Sequence, residues 1–232
     1  MYELHIANKN YSSWSLRPWV LMRELGIPFD ERLTPFDPES NWQAFRGFSP
    51  TGLVPALRDG HRSVWESLAI VEYLAERHEG VWPKDPDARA WARSAAAEMH
   101  AGFPTLREAC TMNVGIRVRL GERSPKLEQN LARMDELWRE GLERFGGPFL
   151  AGRAFGAVDA FFAPVAFRLQ TYGLSLSPPA QAYAERLLAL PSMQAWQAAA
   201  LAETWRELGH EADARAAGEW LQDLRASGGD HG

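Results

Sequence analysis

Apolar and polar positions along the chain change period near residue 80. Residues 2–7 (YELHIA) alternate loosely and predict a short strand. From Trp14 to Leu25, the residues Leu16, Trp19, Val20 and Leu25 recur at helical spacing, and Gly26 with Pro28 stops that helix. "FDERL" (29–33) predicts a second strand, parallel to the first if the helix between them is a right-handed crossover. The turn-rich "DPESNWQAFRGFSPTG" leaves room for one short helix around Asn41–Phe45. "VPALRDGHRSVW" reads as two short strands joined at Asp59-Gly60, a strong hairpin signal. A helix from Glu66 to Glu79 follows, carrying Leu68, Ile70, Val71 and Leu74 with Gly80 just beyond. The order β-α-β-α-β-β-α makes residues 1–80 a compact α/β unit.

"GVWPKDPDAR" brings two prolines and a charge shift, so 81–87 reads as a linker. Beyond it the apolar spacing is helical throughout. Ala88–Met112, Pro125–Phe145, Val158–Tyr172, Pro179–Leu190 and Ser192–Leu208 are the expected helices, separated by Gly146-Gly147, Gly173, Pro178-Pro179 and Pro191. Residues 88–225 are therefore expected to form an all-helical domain, and "ASGGDHG" (226–232) reads as a disordered tail.

Composition narrows the partners. Of the 232 residues, 46% are hydrophobic and 24% charged, and the net charge is −5. Lys and Arg are scattered, which argues against nucleic acid or an anionic membrane surface. The single cysteine, Cys110, excludes an internal disulfide framework and a cysteine-rich zinc site, and no metal is expected. No uninterrupted apolar run is long enough for a membrane helix, and "MYELHIANKN" lacks the sections of a signal peptide. The expectation is a cytoplasmic protein with small-molecule partners.

Three stretches carry candidate chemistry. "NYSSWSLRPW" (10–19) places Ser12, Ser13 and Ser15 at a helix entry, where one hydroxyl is enough for a cap. Unpaired amides and a positive partial charge favour an anion there, and further hydroxyls can donate to it. "GLVPAL" puts Pro55 directly before a strand. A trans bond is the ordinary outcome there; a cis Val54–Pro55 bond would leave the Val54 backbone free to pair with an extended peptide. "WESLAIVEYL" sets Glu66 and Ser67 at another helix entry. That pair is either a simple complement to the helix dipole or a grip on an α-amino acid head, ammonium on Glu66 and carboxylate on Ser67.

"SSWSLR", "GLVPAL" and "ESLAIVEYL", in this order and at this spacing, resemble the glutathione S-transferase family. The likeness is nearest the serine-type, zeta-like members, in which an S-S-x-S-x-R stretch opens the first helix. It implies a thioredoxin-like α/β N-terminal domain followed by an all-α helical C-terminal domain, and a homodimer. It also implies an enzyme that holds glutathione as thiolate for attack on a small electrophile. On this resemblance Ser12 hydrogen-bonds the sulfur, with Ser13 as the first alternative and Tyr11 behind both. Val54 pairs with the cysteinyl part, Pro55 is the cis-proline, and Glu66 and Ser67 grip the γ-glutamyl end. Arg17 is assigned to packing, and Trp14, Phe103 and Arg107 to the co-substrate pocket. An arginine in that pocket suits an acidic acceptor, so glutathione-dependent cis–trans isomerisation of a maleyl-type diacid is the alternative chemistry. A non-catalytic binding protein on the same fold is the third reading.

The sequence departs from the family pattern twice. Gly156 stands where a capping Ser or Thr is usual, which leaves only Asp159 reaching back to the backbone. Leu53 stands where zeta-like members have a polar residue, so the grip on the glycyl end is open, with Gln43 and Arg46 as candidates. Cys110 lies too far along the chain for a cysteine-type site, and His5, His61, His78 and His100 stand in no triad-like context.

Overall fold

A computed structural model of the protein describes residues 1–37 and 39–226. The tail expected at 226–232 lies, Ala226 apart, outside the described residues. β1 (Tyr2–Ile6) buries Leu4 and Ile6 and leads through a short loop into α1 (Ser13–Glu24). The helix crosses to β2 (Phe29–Leu33), which pairs with β1 in parallel, Tyr2 opposite Phe29 and Ile6 opposite Leu33. α2 (Asn41–Arg46) is capped by Ser40, whose Oγ accepts the Gln43 N–H. β3 (Ala56–Asp59) and β4 (Arg62–Trp65) form the hairpin that Asp59-Gly60 predicts, with Gly60 at φ +60°. β3 runs antiparallel to β1, so the strand order is β2-β1-β3-β4, and α3 (Ser67–Ala75) packs back on the sheet. Leu4, Ile6 and Leu57 of the sheet meet Leu16 and Val20 of α1 and Ile70, Val71 and Leu74 of α3. Each such side chain adds ~1.5–3 kcal/mol of burial free energy. This is a thioredoxin-like domain.

The second domain comprises α4 (Pro86–Ala101), α5 (Pro104–Ala109), β5 (Ile116–Leu120), α6 (Pro125–Phe145), α7 (Ala157–Tyr172), α8 (Pro178–Leu188), α9 (Pro191–Ala202), α10 (Leu208–Ala217) and β6 (Gly218–Asp223). α7 is apolar on all sides and buried along nearly its whole length. It is the axis of the domain, and α1 of the first domain lies against it.

The second domain differs from the sequence expectation in three places. The single helix expected over 88–112 breaks at Gly102 and Phe103, because Pro104 offers no amide and disfavours helical backbone in the residue before it. Phe103 takes the left-handed conformation at φ +56° and turns the chain into α5. The domain is not purely helical, since β5 and β6 form an antiparallel two-stranded sheet with a register shift at Arg117/Val118. "IRVRL" alternates apolar and charged residues, and Ile116 and Val118 are its buried face. The helix expected over 192–208 ends at Ala202. There the Glu203 carboxylate accepts the backbone amides of Lys9 and Asn10, and α10 begins only after Glu207.

Asp159 supplies the reach back that the sequence predicts. Its carboxylate accepts the N–H of Gly156 at 2.9 Å, the N–H of Leu150 at 3.0 Å and the Tyr183 hydroxyl at 2.8 Å. Complete burial pushes this carboxyl up to about 6, although the three donors pull it down. Asp159→Ala is expected to cost ~3 kcal/mol or more in denaturant unfolding, since each buried donor left unsatisfied costs ~1–3 kcal/mol. Because the folded carboxyl titrates at about 6 and an unfolded one near ~3.9, the folded chain binds more protons between those values. This group's contribution to stability therefore falls as pH rises through that window and is level above it. Unfolding measured across the window is expected to lose that slope in the Ala variant.

Candidate active site

Two adjoining cavities lie where the domains meet. The larger, of about 500 Å³, is lined by Tyr11, Ser12, Ser13, Trp14 and Val54 from the first domain and by Arg107, Met112, Arg168 and His210 from the second. The smaller, of about 220 Å³, is lined by Trp14, Thr51, Leu53, Val54, Pro55 and Glu66. Trp14, Leu53 and Val54 belong to both, so the two form one bent cleft.

The entry of α1 forms one wall of this cleft. Ser12 and Ser13 are buried among protein atoms yet line the larger cavity. Ser12 does not cap its helix through its side chain. Its hydroxyl donates instead to Ser15 Oγ at 2.7 Å, and Ser15 Oγ accepts the Ala7 N–H at 3.3 Å. The cluster is therefore a hydrogen-bonded chain rather than a redundant cap. Ser13 N–H turns back to Tyr11 O at 2.9 Å. By helix geometry the amides of Trp14 and Ser15 have no intrahelical acceptor, and no acidic side chain occupies the first turn.

The loop before β3 forms the second wall. The Val54–Pro55 bond is cis. Gly52, at φ +64°, is required at its position, because a Cβ there would stand 2.5 Å from the Trp42 ring. Glu66, at the entry of α3, sits at φ 70°, ψ 129°, a conformation that costs a non-glycine residue ~1–3 kcal/mol. It aims a half-exposed carboxylate at the smaller recess, with His100 Nε2 3.9 Å away. Ser67 is fully buried next to it, and its Oγ accepts Arg17 Nη1 at 3.4 Å.

Arginines dominate the electrostatics. The Trp14 ring stands between the guanidinium groups of Arg17 at 4.1 Å and Arg107 at 4.6 Å. Arg17 also lies 4.9 Å from the Phe161 ring of α7, so it packs the two domains together. Arg168 is completely buried; it donates from Nε to Cys110 O at 2.8 Å and from Nη2 to Ser13 Oγ at 3.4 Å. Burial first, and then the neighbouring Arg107, lower Arg168 to about 10, which leaves it protonated at neutral pH. Burial and the other two arginines likewise lower Arg17. Among the described residues no carboxylate forms an ion pair with any of the three. A site of this sign favours an anion.

Other sequence candidates lie elsewhere. Phe103, expected to line the pocket, lines neither cavity; the left-handed turn before α5 sends its ring into the core. Gln43 and Arg46 also stay out of the lining, and Arg46 lies over the Trp42 ring. Tyr11 lines the larger cavity, but its hydroxyl donates to Glu211 at 2.8 Å and accepts from Arg225 at 3.2 Å. Burial and the Glu211 charge raise that phenol well above its ordinary range. Cys110 is buried, and its thiol is pushed up to about 11, chiefly by burial. Sequence reasoning missed Arg168 and His210. Arg168 did leave a signal, as the one charged residue in the apolar run "AFFAPVAFRLQTY"; His210 left none.

Residues 11–77 match the family model described as Glutathione S-transferase, N-terminal domain. The chain is 25% identical over 216 residues to the glutathione S-transferase-like protein OpS6 of Beauveria bassiana, spanning 85% of this chain and 88% of that one. It is 27% identical over 190 residues to the glutathione S-transferase GstB of Escherichia coli, spanning 73% and 85%. A Burkholderia glutathione transferase homologue, solved with bound glutathione, shares the fold with a TM-score of 0.65 at 23% identity, over 86% of this chain and 97% of that one.

Arg168→Met tests the electrostatic picture. Replacing a buried cation that has no carboxylate partner with an apolar side chain is expected to leave the protein at least as stable. A loss of more than about 1 kcal/mol in unfolding free energy, the worth of one hydrogen bond, would show the guanidinium to be structural instead.

Proposed function

We propose, for a chain that belongs to the glutathione S-transferase family, that the cleft holds glutathione with its sulfur against the entry of α1 and activates it as thiolate. The reading rests on one observation above all, the hydroxyl chain from Ala7 N–H through Ser15 to Ser12 at the cavity wall. The γ-glutamyl end lies in the smaller recess, its ammonium on Glu66 and its carboxylate beside Ser67. The cysteinyl backbone pairs with Val54 next to the cis-proline, Pro55. The sulfur then reaches Ser12, with Ser13 alongside.

Energetics decide whether a hydroxyl suffices. A free thiol of this kind has a pKa of ~8.5, and lowering it by about two units takes about 2.7 kcal/mol. One hydrogen bond to a charged acceptor supplies ~1.5–3 kcal/mol, and a helix N-terminus adds ~0.3–1 kcal/mol. When a thiolate arrives, the two hydroxyls reverse: Ser15 donates to Ser12, and Ser12 donates to sulfur. Ser15 keeps its own donor in the Ala7 amide, so Ser12 donates from within a polarised chain. The serine is a donor here and never a nucleophile.

The arginines favour a second reading for the co-substrate. Arg107 and Arg168 face the cavity with no carboxylate ion-pair partner among the described residues, which suits an acidic acceptor such as a maleyl-type diacid. In that chemistry the thiolate adds to the double bond, the carbon–carbon bond rotates, and glutathione leaves unchanged. Transfer consumes glutathione; isomerisation returns it. Following glutathione alongside an aryl halide and then a maleyl diacid therefore separates the two.

Ser12→Ala is expected to raise the apparent pKa of the bound thiol, seen as an upward shift of the pH–rate profile, and to slow turnover at neutral pH about 10-fold or more. Unfolding should be little changed, since the side chain makes no helix cap. An unmoved profile would transfer the role to Ser13.

A further inference from the structure

A bound thiol that becomes a thiolate must give its proton to something, and the serines do not hold it, because a hydroxyl in this role only donates. The rest of the cavity lining leaves few acceptors. The guanidinium groups of Arg107 on α5 and Arg168 on α7 already carry their protons. The Tyr11 hydroxyl is engaged with Glu211, itself paired with Arg225. Glu108 is solvent-exposed at the rim rather than enclosed with the serines. His210 remains.

His210 is held for this task. Glu207 opens α10 by accepting the N–H of Gly209 at 3.1 Å and of His210 at 2.7 Å. The same carboxylate lies 2.6 Å from His210 Nδ1. Burial works against the Glu207 charge, but the His210 and Gly209 donors outweigh it and keep this carboxyl below its usual range. An ionised carboxylate can only accept, so in the neutral ring the hydrogen belongs on Nδ1 and the lone pair on Nε2. Tyr11 and Phe36 pack against the imidazole, with ring centroids at 5.1 and 5.5 Å, and fix its plane at the cavity.

We infer that His210, aligned by Glu207, accepts the thiol proton of glutathione bound in this cavity, directly or through one water. The inference rests on the glutathione reading above. In the step the S–H bond breaks and its electron pair stays on sulfur. The proton forms a new N–H bond at Nε2, and the imidazolium is balanced by Glu207. Arg107 and Arg168 share the cavity with the ring, and Glu207 is the carboxylate that keeps the proton paired at His210 while the thiolate is bound. Glu207 is a positioning residue.

The test is glutathione binding to the full chain and to His210→Gln, by calorimetry in buffers of different ionisation enthalpy, with thiolate read from its ultraviolet absorbance. The parent is expected to form thiolate with little proton reaching the buffer, whereas His210→Gln releases the proton to the buffer for whatever thiolate it forms. Affinity for glutathione should change little, while kcat/KM toward an aryl halide at neutral pH falls about 100-fold, the usual weight of a general base. Glu207→Gln is expected to move the same readouts in the same direction by less, and it serves in place of His210→Gln should that variant fail to fold. If neither chain binds glutathione, the glutathione reading itself falls. If both bind it with equal proton release and equal pH profiles, His210 is not the acceptor and this inference alone is overturned.

Discussion

The packing of α1 between the sheet of the first domain and α7 of the second is the constraint on which the rest depends. Leu16, Val20 and Leu21 join the common core, while Arg17 passes between Trp14 and Phe161 and donates to Ser67. The guanidinium thereby ties the serine helix, the entry of α3 and the axis of the helical domain to one buried point. A helix fixed this firmly can present its first turn at a set position, which a donor must do if it is to be worth more than water.

The same region carries the costs that a packing optimum would avoid. Among the described residues Arg17 Nε is buried without a partner and Arg168 is a buried cation with no carboxylate, and Glu66 is held at positive φ. Each is unfavourable alone by ~1–3 kcal/mol. They gather around the cleft, whereas the sheet and the helical core follow ordinary hydrophobic pattern. Concentration of unfavourable terms at one place is what a binding or reacting site requires, because a ligand of the right charge relieves them.

Much of this was legible in the residues. Apolar spacing and turn signals located the elements of the first domain, β1 and α1 by the faces they bury and the β3–β4 hairpin by Asp59-Gly60. The serine and proline motifs came together with Glu66 around a single cleft, with Ser67 buried behind it. What escaped was decided by distant contacts. Phe103 has helical spacing with Arg107, but Pro104 breaks the helix between them and gives the two residues opposite fates. β5 alternates plainly, yet its partner β6 stands about a hundred residues later, and a lone alternating run between two expected helices does not announce a sheet. His210 reaches the cavity only because Glu203 halts α9, and Glu203 does so by binding amides of Lys9 and Asn10, which nothing local announces.

That last chain of contacts ties the C-terminal segment to the cleft. A two-stranded sheet is marginal by itself, yet β5 and β6 are anchored beyond the Ile116–Asp223 pair. Leu224 N–H bonds Gly115 O, and Arg225 joins Glu211 and the Tyr11 hydroxyl. Asn10, two residues before Ser12, is gripped from the same side: its side chain donates to Asn113, and its Oδ1 accepts the Gly115 N–H. The loop that sets the serines is thus clamped by the segment that delivers His210. A change in the β5–β6 pairing would move the serine loop and His210 together, so the terminal strand bears on the cleft through the geometry of the loop before α1 rather than by contact with a ligand.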